Sequence, residues 1–91
     1  MSQTYSVLLE MDEFAEGLAY HLEDTSRMGL DWRRDALYEI RGSEFSYDES
    51  LHQEALRALK TDSAKKIEDH ILALTEYYLN DLGAIRHEDA V

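Results

Sequence analysis

Residues 7–26 read Val-Leu-Leu-Glu-Met-Asp-Glu-Phe-Ala-Glu-Gly-Leu-Ala-Tyr-His-Leu-Glu-Asp-Thr-Ser. Leu8, Met11, Phe14, Ala15, Leu18 and Leu22 recur at steps of three and four, with Val7 and Ala19 widening the same side. That is the period of an α-helix with one buried face. The spacing predicts a helix over 7–26, capped by Ser6 or Thr4. Alternation through Tyr5, Ser6 and Val7 offers a short strand over 4–9 as the competing reading. Gly17 falls on the polar side, where it costs about 1 kcal/mol relative to Ala. Glu10, Asp12, Glu13, Glu16, Glu23 and Asp24 occupy that polar side, and residues 1–26 contain no Lys or Arg. A helix face of this kind repels itself and gains no internal ion pairs.

The rest of the chain continues in the same idiom. The whole chain has no proline and four glycines, three of which (Gly29, Gly42 and Gly83) fall where helices would stop. A second helix is expected over 31–41, with Asp31 as its cap and Trp32, Ala36, Leu37 and Ile40 as its apolar face. Residues 42–50 read as a loop, or as a short strand through 44–47. A third helix over 50–60 opens on the capping box Ser50-Leu51-His52-Gln53 and carries Leu51, Ala55, Ala58 and Leu59. Thr61-Asp62-Ser63 then caps a fourth over 63–82, and 83–91 reads as a tail. With neither Gly nor Pro between them, the third and fourth helices also read as one kinked rod. The expectation is a single all-α domain over 1–91, a bundle of three to four helices. In the fourth helix Ile67, Ile71, Leu74, Tyr78 and Leu82 form the main stripe. Leu72 and Leu79 lie on its flank, either buried against two neighbours or forming the seam of a homodimer.

Twenty acidic residues against nine Lys and Arg give a net charge of −11. That balance disfavours direct contact with nucleic acid or an anionic membrane and favours a basic protein partner. Cysteine is absent, so neither disulfides nor thiolate chemistry enter, and a reducing cytoplasm suits the chain. No apolar run approaches membrane-spanning length and no charged-then-apolar leader opens the sequence. An apolar fraction of 44% is that of a folded domain rather than of a disordered acidic tail.

Residue patterns for catalysis or metal binding are weak. Glu49 and His52 have the Glu-x-x-His spacing of di-iron helices, but such sites require two of these pairs and two further glutamates. Glu68, Asp69 and His70 are consecutive and point in different directions. Ser43, Ser46 and Ser50 stand near Asp48 and His52 without a nucleophile motif around them, and no Gly-rich phosphate loop occurs. The expectation is therefore a non-enzymatic protein with no metal and no cofactor. The histidines His21, His52, His70 and His87 are scattered.

What remains is surface. Leu9 and Tyr20 interrupt the acidic side of the first helix, and Phe45 and Tyr47 sit among the acids of the central segment. The candidate partner-binding set is Leu9, Asp12, Glu13, Glu16, Tyr20, Glu23, Asp24, Glu44, Phe45, Tyr47, Asp48 and Glu49. One helical row of carboxylates, repeating about every 5.4 Å, is sparser than a DNA strand with a phosphate about every 3.4 Å. Mimicry of nucleic acid therefore requires the first helix and residues 44–54 to share one surface. In size, charge and helicity the chain resembles phage anti-restriction and anti-CRISPR proteins, and the small acidic immunity and antitoxin proteins. The resemblance rests on composition, with no family motif, and assigns no residue a role. It implies an inhibitor that blocks a basic, nucleic-acid-handling protein, acting in the host cytoplasm if phage-encoded. The alternative is a structural or adaptor module that binds a protein partner, as a homodimer if Leu72 and Leu79 form a seam.

Overall fold

The computed structural model describes residues 3–85. Among them six helices and no strand are formed: α1 Gln3–His21, α2 Glu23–Arg27, α3 Trp32–Arg41, α4 Glu44–Tyr47, α5 Glu49–Ala58 and α6 Ala64–Asp81. The protein is all-α. The expected three to four helices become six, and both strand alternatives, over 4–9 and 44–47, are helical instead.

Helices α1 and α6 are the long elements, and each packs on the other; α5 also lies against α1, and α3 against α6. The core is assembled from Val7, Met11, Ala15, Leu18 and Leu22, from Trp32, Ala36 and Ile40, from Phe45 and Ala55, and from Ile67, Ile71 and Leu79. The stripe of α6 is rotated from the one expected. Ile67, Ile71, Thr75 and Leu79 are buried, while Leu72, Leu74, Tyr78 and Leu82 are half-buried at its edges. Because α1 and α3 flank α6 on two sides, the line bisecting them is buried deepest. Thr75 is tolerated there because its hydroxyl donates to the Ile71 carbonyl at 2.7 Å. Leu79 has no exposed surface. It belongs to the core of its own chain, while Leu72 is half-buried.

Chain breaks follow a repeated motif. After α2, Gly29 adopts φ +75°, and the Leu30 amide donates back to the Thr25 carbonyl at 3.1 Å. After α6, Gly83 does the same at φ +75°, with Ala84 donating to Leu79 at 2.9 Å. Both are Schellman-type ends, which need a left-handed residue. Lys60 fills this role after α5 at φ 56°, with Thr61 donating to Leu56 at 3.0 Å. The kinked-rod alternative is thereby overturned: α5 and α6 are separate helices, divided at a residue whose type does not announce a break. Gly42 ends α3 at φ −93°, without the left-handed turn.

Other boundaries also move. The expected helix 7–26 starts earlier and divides at Leu22, whose φ of −99° and ψ of 7° turn the chain. That turn aims α2 at the end of α6. The Ser26 hydroxyl donates to the Ala84 carbonyl at 3.0 Å, and Arg27 donates to the Leu82 carbonyl at 2.9 Å. These bonds satisfy carbonyls of the cap and turn that follow α6. The expected tail at 83–91 is thus packed in over 83–85; residues 86–91 lie outside the described residues. Asp31 caps α3 as expected, accepting from the Arg34 amide at 3.2 Å. The capping box at Ser50 is not used. Asp48 caps α5, accepting from Leu51 at 3.1 Å, and the helix begins at Glu49.

Candidate protein-binding face

Helix α4 joins the two acidic segments. It is a single turn, too short to be stable alone, and it is pinned from three directions. Phe45 is buried at 2% exposure, with its ring edge-on to Phe14 at 5.7 Å between centroids. Ser43 and Ser46 donate to the Ile40 carbonyl at 2.6 and 3.1 Å, and His52 Nδ1 donates to the Phe45 carbonyl at 2.8 Å. With Phe45 turned inward, Glu44 and Tyr47 are turned outward.

The outcome is an open depression of about 430 Å³ lined by Glu10, Glu13 and Phe14 of α1 and by Gly42, Ser43, Glu44, Phe45 and Tyr47. A second depression, of about 370 Å³, continues it along α1 between Glu13, Phe14, Gly17, Leu18 and His21 on one wall and Glu39 of α3 on the other. Together they form a trough with an aromatic floor and a rim of Glu10, Glu13, Glu39 and Glu44. No Lys or Arg lines these two stretches.

Arg41 lines an adjoining depression with Tyr38, Glu39 and Gly42, and ion pairs hold several of the bases. Arg33 bonds Glu76 at 2.7 Å and Arg41 bonds Glu68 at 3.0 Å, tying α3 to α6. Arg27 pairs with Glu23, Lys65 with Asp69, and Arg34 with Asp35 at a longer 3.9 Å. Among the described residues no carboxylate of α1 is in an ion pair.

The candidate residues therefore divide. Glu13, Glu44 and Tyr47 meet in the trough, and Leu9, Glu16 and Tyr20 lie on the exposed outer side of α1. Asp12 is turned to α6, where its carboxylate accepts a short hydrogen bond from the Tyr78 hydroxyl. That bond, reinforced by burial, holds the Tyr78 hydroxyl up at about 12. Half-buried His70 lies near the same carboxylate; burial pushes its pKa down, and Asp12 partly opposes this. Glu23 is bonded to Arg27 at 2.6 Å, and Asp24 shares α2 with it, past the turn at Leu22. Phe45, proposed as a contact, is an internal anchor. Asp48 serves as a cap, and Glu49 accepts a long bond from Gln53 at 3.4 Å.

Of the trough's charged and aromatic members, Glu10, Phe14 and Glu39 are outside the sequence-based set. Glu10 stands three residues before Glu13 on the same side of α1, a signal that was legible. Phe14 was placed in the core stripe, whereas it is half-buried and floors the trough. Glu39 joins only through the packing of α3. Among the described residues no three His, Asp or Glu gather as a metal site would need, and no helix is long and apolar enough to cross a membrane. No protein-family model, no curated protein and no solved structure matches the chain.

Proposed function

We propose that this protein is a small acidic inhibitor that docks on and blocks a basic, nucleic-acid-handling surface of another protein. The observation that supports this most is the trough. Carboxylates far apart in sequence, Glu10 and Glu13 on α1 and Glu44 on α4, share one rim, and Arg27, Arg33, Arg41 and Lys65 are paired with other acids. Uncompensated charge over a partly apolar floor suits a basic partner: the field speeds encounter, and the aromatic surface holds the docked side chains. The stem of an Arg or Lys can lie on Phe14 and Tyr47 while its head reaches the carboxylates.

The test is a pull-down from cells of the source at low and at high salt, using the wild-type chain and Glu10→Lys with Glu13→Lys and Glu44→Lys. Each captured protein is then assayed for oligonucleotide binding with and without the acidic chain. The reading expects basic nucleic-acid-binding partners, displacement of the oligonucleotide by the wild type, and none by the charge-reversed variant, which keeps its helical circular dichroism. Capture that is indifferent to both salt and charge reversal refutes it. Asp12 and Glu23 are poor choices for this experiment, because their internal partners make any effect ambiguous.

A further inference from the structure

The outer side of α1 carries a second pattern, which shares Glu13 with the trough. Leu9, Glu13, Glu16 and Tyr20 succeed one another at steps of four, three and four, so they form one line along the helix. All four are exposed. Leu9 is 47% and Tyr20 59% exposed although both are large and apolar in body. Eleven residues separate them, which is about 16 Å or three turns of helix. The line thus presents an apolar contact at each end and two carboxylates between, on a rigid rod packed against α5 and α6 on its other side.

From this spacing we infer that the partner docks a helix along α1, with apolar residues at its two ends and Lys or Arg in its central turns. The inference rests on the acidic-face reading above and specifies what the partner presents. A repeat of three and four is the spacing at which side chains of two helices interleave. An extended strand, whose side chains alternate with period two, would not keep register with it. A second copy of this chain is the wrong occupant. In a two-fold pairing along this line the glutamates of both copies would crowd together between two chains of net charge −11. Charge complementarity selects a basic helix.

The experiment uses the whole chain and two synthetic peptides of about sixteen residues and identical composition. One has Leu in its outer turns and Lys and Arg in its two central turns, aligned on one helical face; the other is a scrambled isomer with no such face. Affinities are measured by calorimetry at low salt, and peptide helicity by circular dichroism. The patterned peptide is expected to bind at least ten-fold more tightly and to gain helix on binding. Leu9→Ala with Tyr20→Ala is expected to remove that preference, whereas Leu9→Met with Tyr20→Phe, which keeps the apolar area, preserves it. Equal affinity for both peptides, still weakened by reversing Glu10, Glu13 and Glu44, overturns the docked helix and leaves the acidic-face reading standing. No binding of either peptide at low salt overturns both. A dimer of the chain alone that Leu9→Ala with Tyr20→Ala dissolves would also overturn the inference, by showing a second copy on this line.

Discussion

Replacing Phe45 by Ala tests the feature on which the trough depends. Phe45 is 2% exposed, and Tyr47, two residues on in the same turn, is 74% exposed. Removing a buried Phe costs about 3–5 kcal/mol, from lost transfer energy and the cavity left behind. The edge-on contact with Phe14 is part of that cost, at about 0.5–1.5 kcal/mol. A domain of this size has roughly 5–14 kcal/mol in total, so the substitution takes a large share. With each kcal/mol worth at least about 4 °C at this length, Tm is expected to fall by about 12 °C or more. Urea unfolding followed by circular dichroism measures the change. Tyr47→Ala, in the same turn but outside the core, is expected to stay within about 0.5 kcal/mol of wild type. Phe45→Leu should lose about 1–2 kcal/mol, since an apolar plug remains. In the binding assay Phe45→Ala is expected to weaken capture even where the chain is still folded, because Glu44 and Tyr47 are no longer held on the rim. Equal stability of Phe45→Ala and Tyr47→Ala would refute the anchoring of α4.

Three further outcomes follow from local geometry. A Cβ added at Gly17 meets nothing within 4 Å, so Gly17→Ala is expected to raise stability by about 0.5–1 kcal/mol, read as a rise of a few degrees in Tm. Ser26→Ala leaves the Ala84 carbonyl without its 3.0 Å donor and is expected to cost about 1–3 kcal/mol in urea unfolding. Tyr78 should titrate last among tyrosines in ultraviolet difference absorbance, near 12, and Asp12→Asn should bring it down. Because its folded value is raised, the stabilisation tied to Tyr78 is full below about pH 10 and is lost as pH climbs from there to about 12; stability that is flat across that window would exclude the bond.

Secondary structure type and the identity of most core residues were legible in the sequence, because both follow from short-range pattern. The apolar period of α1 identifies Met11, Ala15, Leu18 and Leu22 without reference to anything else in the chain. The cap at Asp31 is equally local. What failed locally failed for tertiary reasons. Residues 44–47 have no helical period, and they form a turn of helix because Phe45 finds a cavity beside Phe14 and Ile40 lends its carbonyl to Ser43 and Ser46. Lys60 enters the left-handed region without a glycine to mark the place. The cap of α5 is Asp48, two residues before the expected Ser50.

Electrostatics divide along the same line. The sequence by itself determined that the chain is all-α, strongly acidic and built on a first helix with a carboxylate side, because composition and period are properties of neighbours. Only the tertiary structure decided which carboxylates act together. It drew Asp12 to Tyr78 and Glu68 and Glu76 to the arginines of α3, and it left Glu10, Glu13, Glu39 and Glu44 around one trough. The physical reason is that a charge is compensated by whatever the fold places within a few ångströms of it, and that neighbour is set by packing of the core, not by position along the chain.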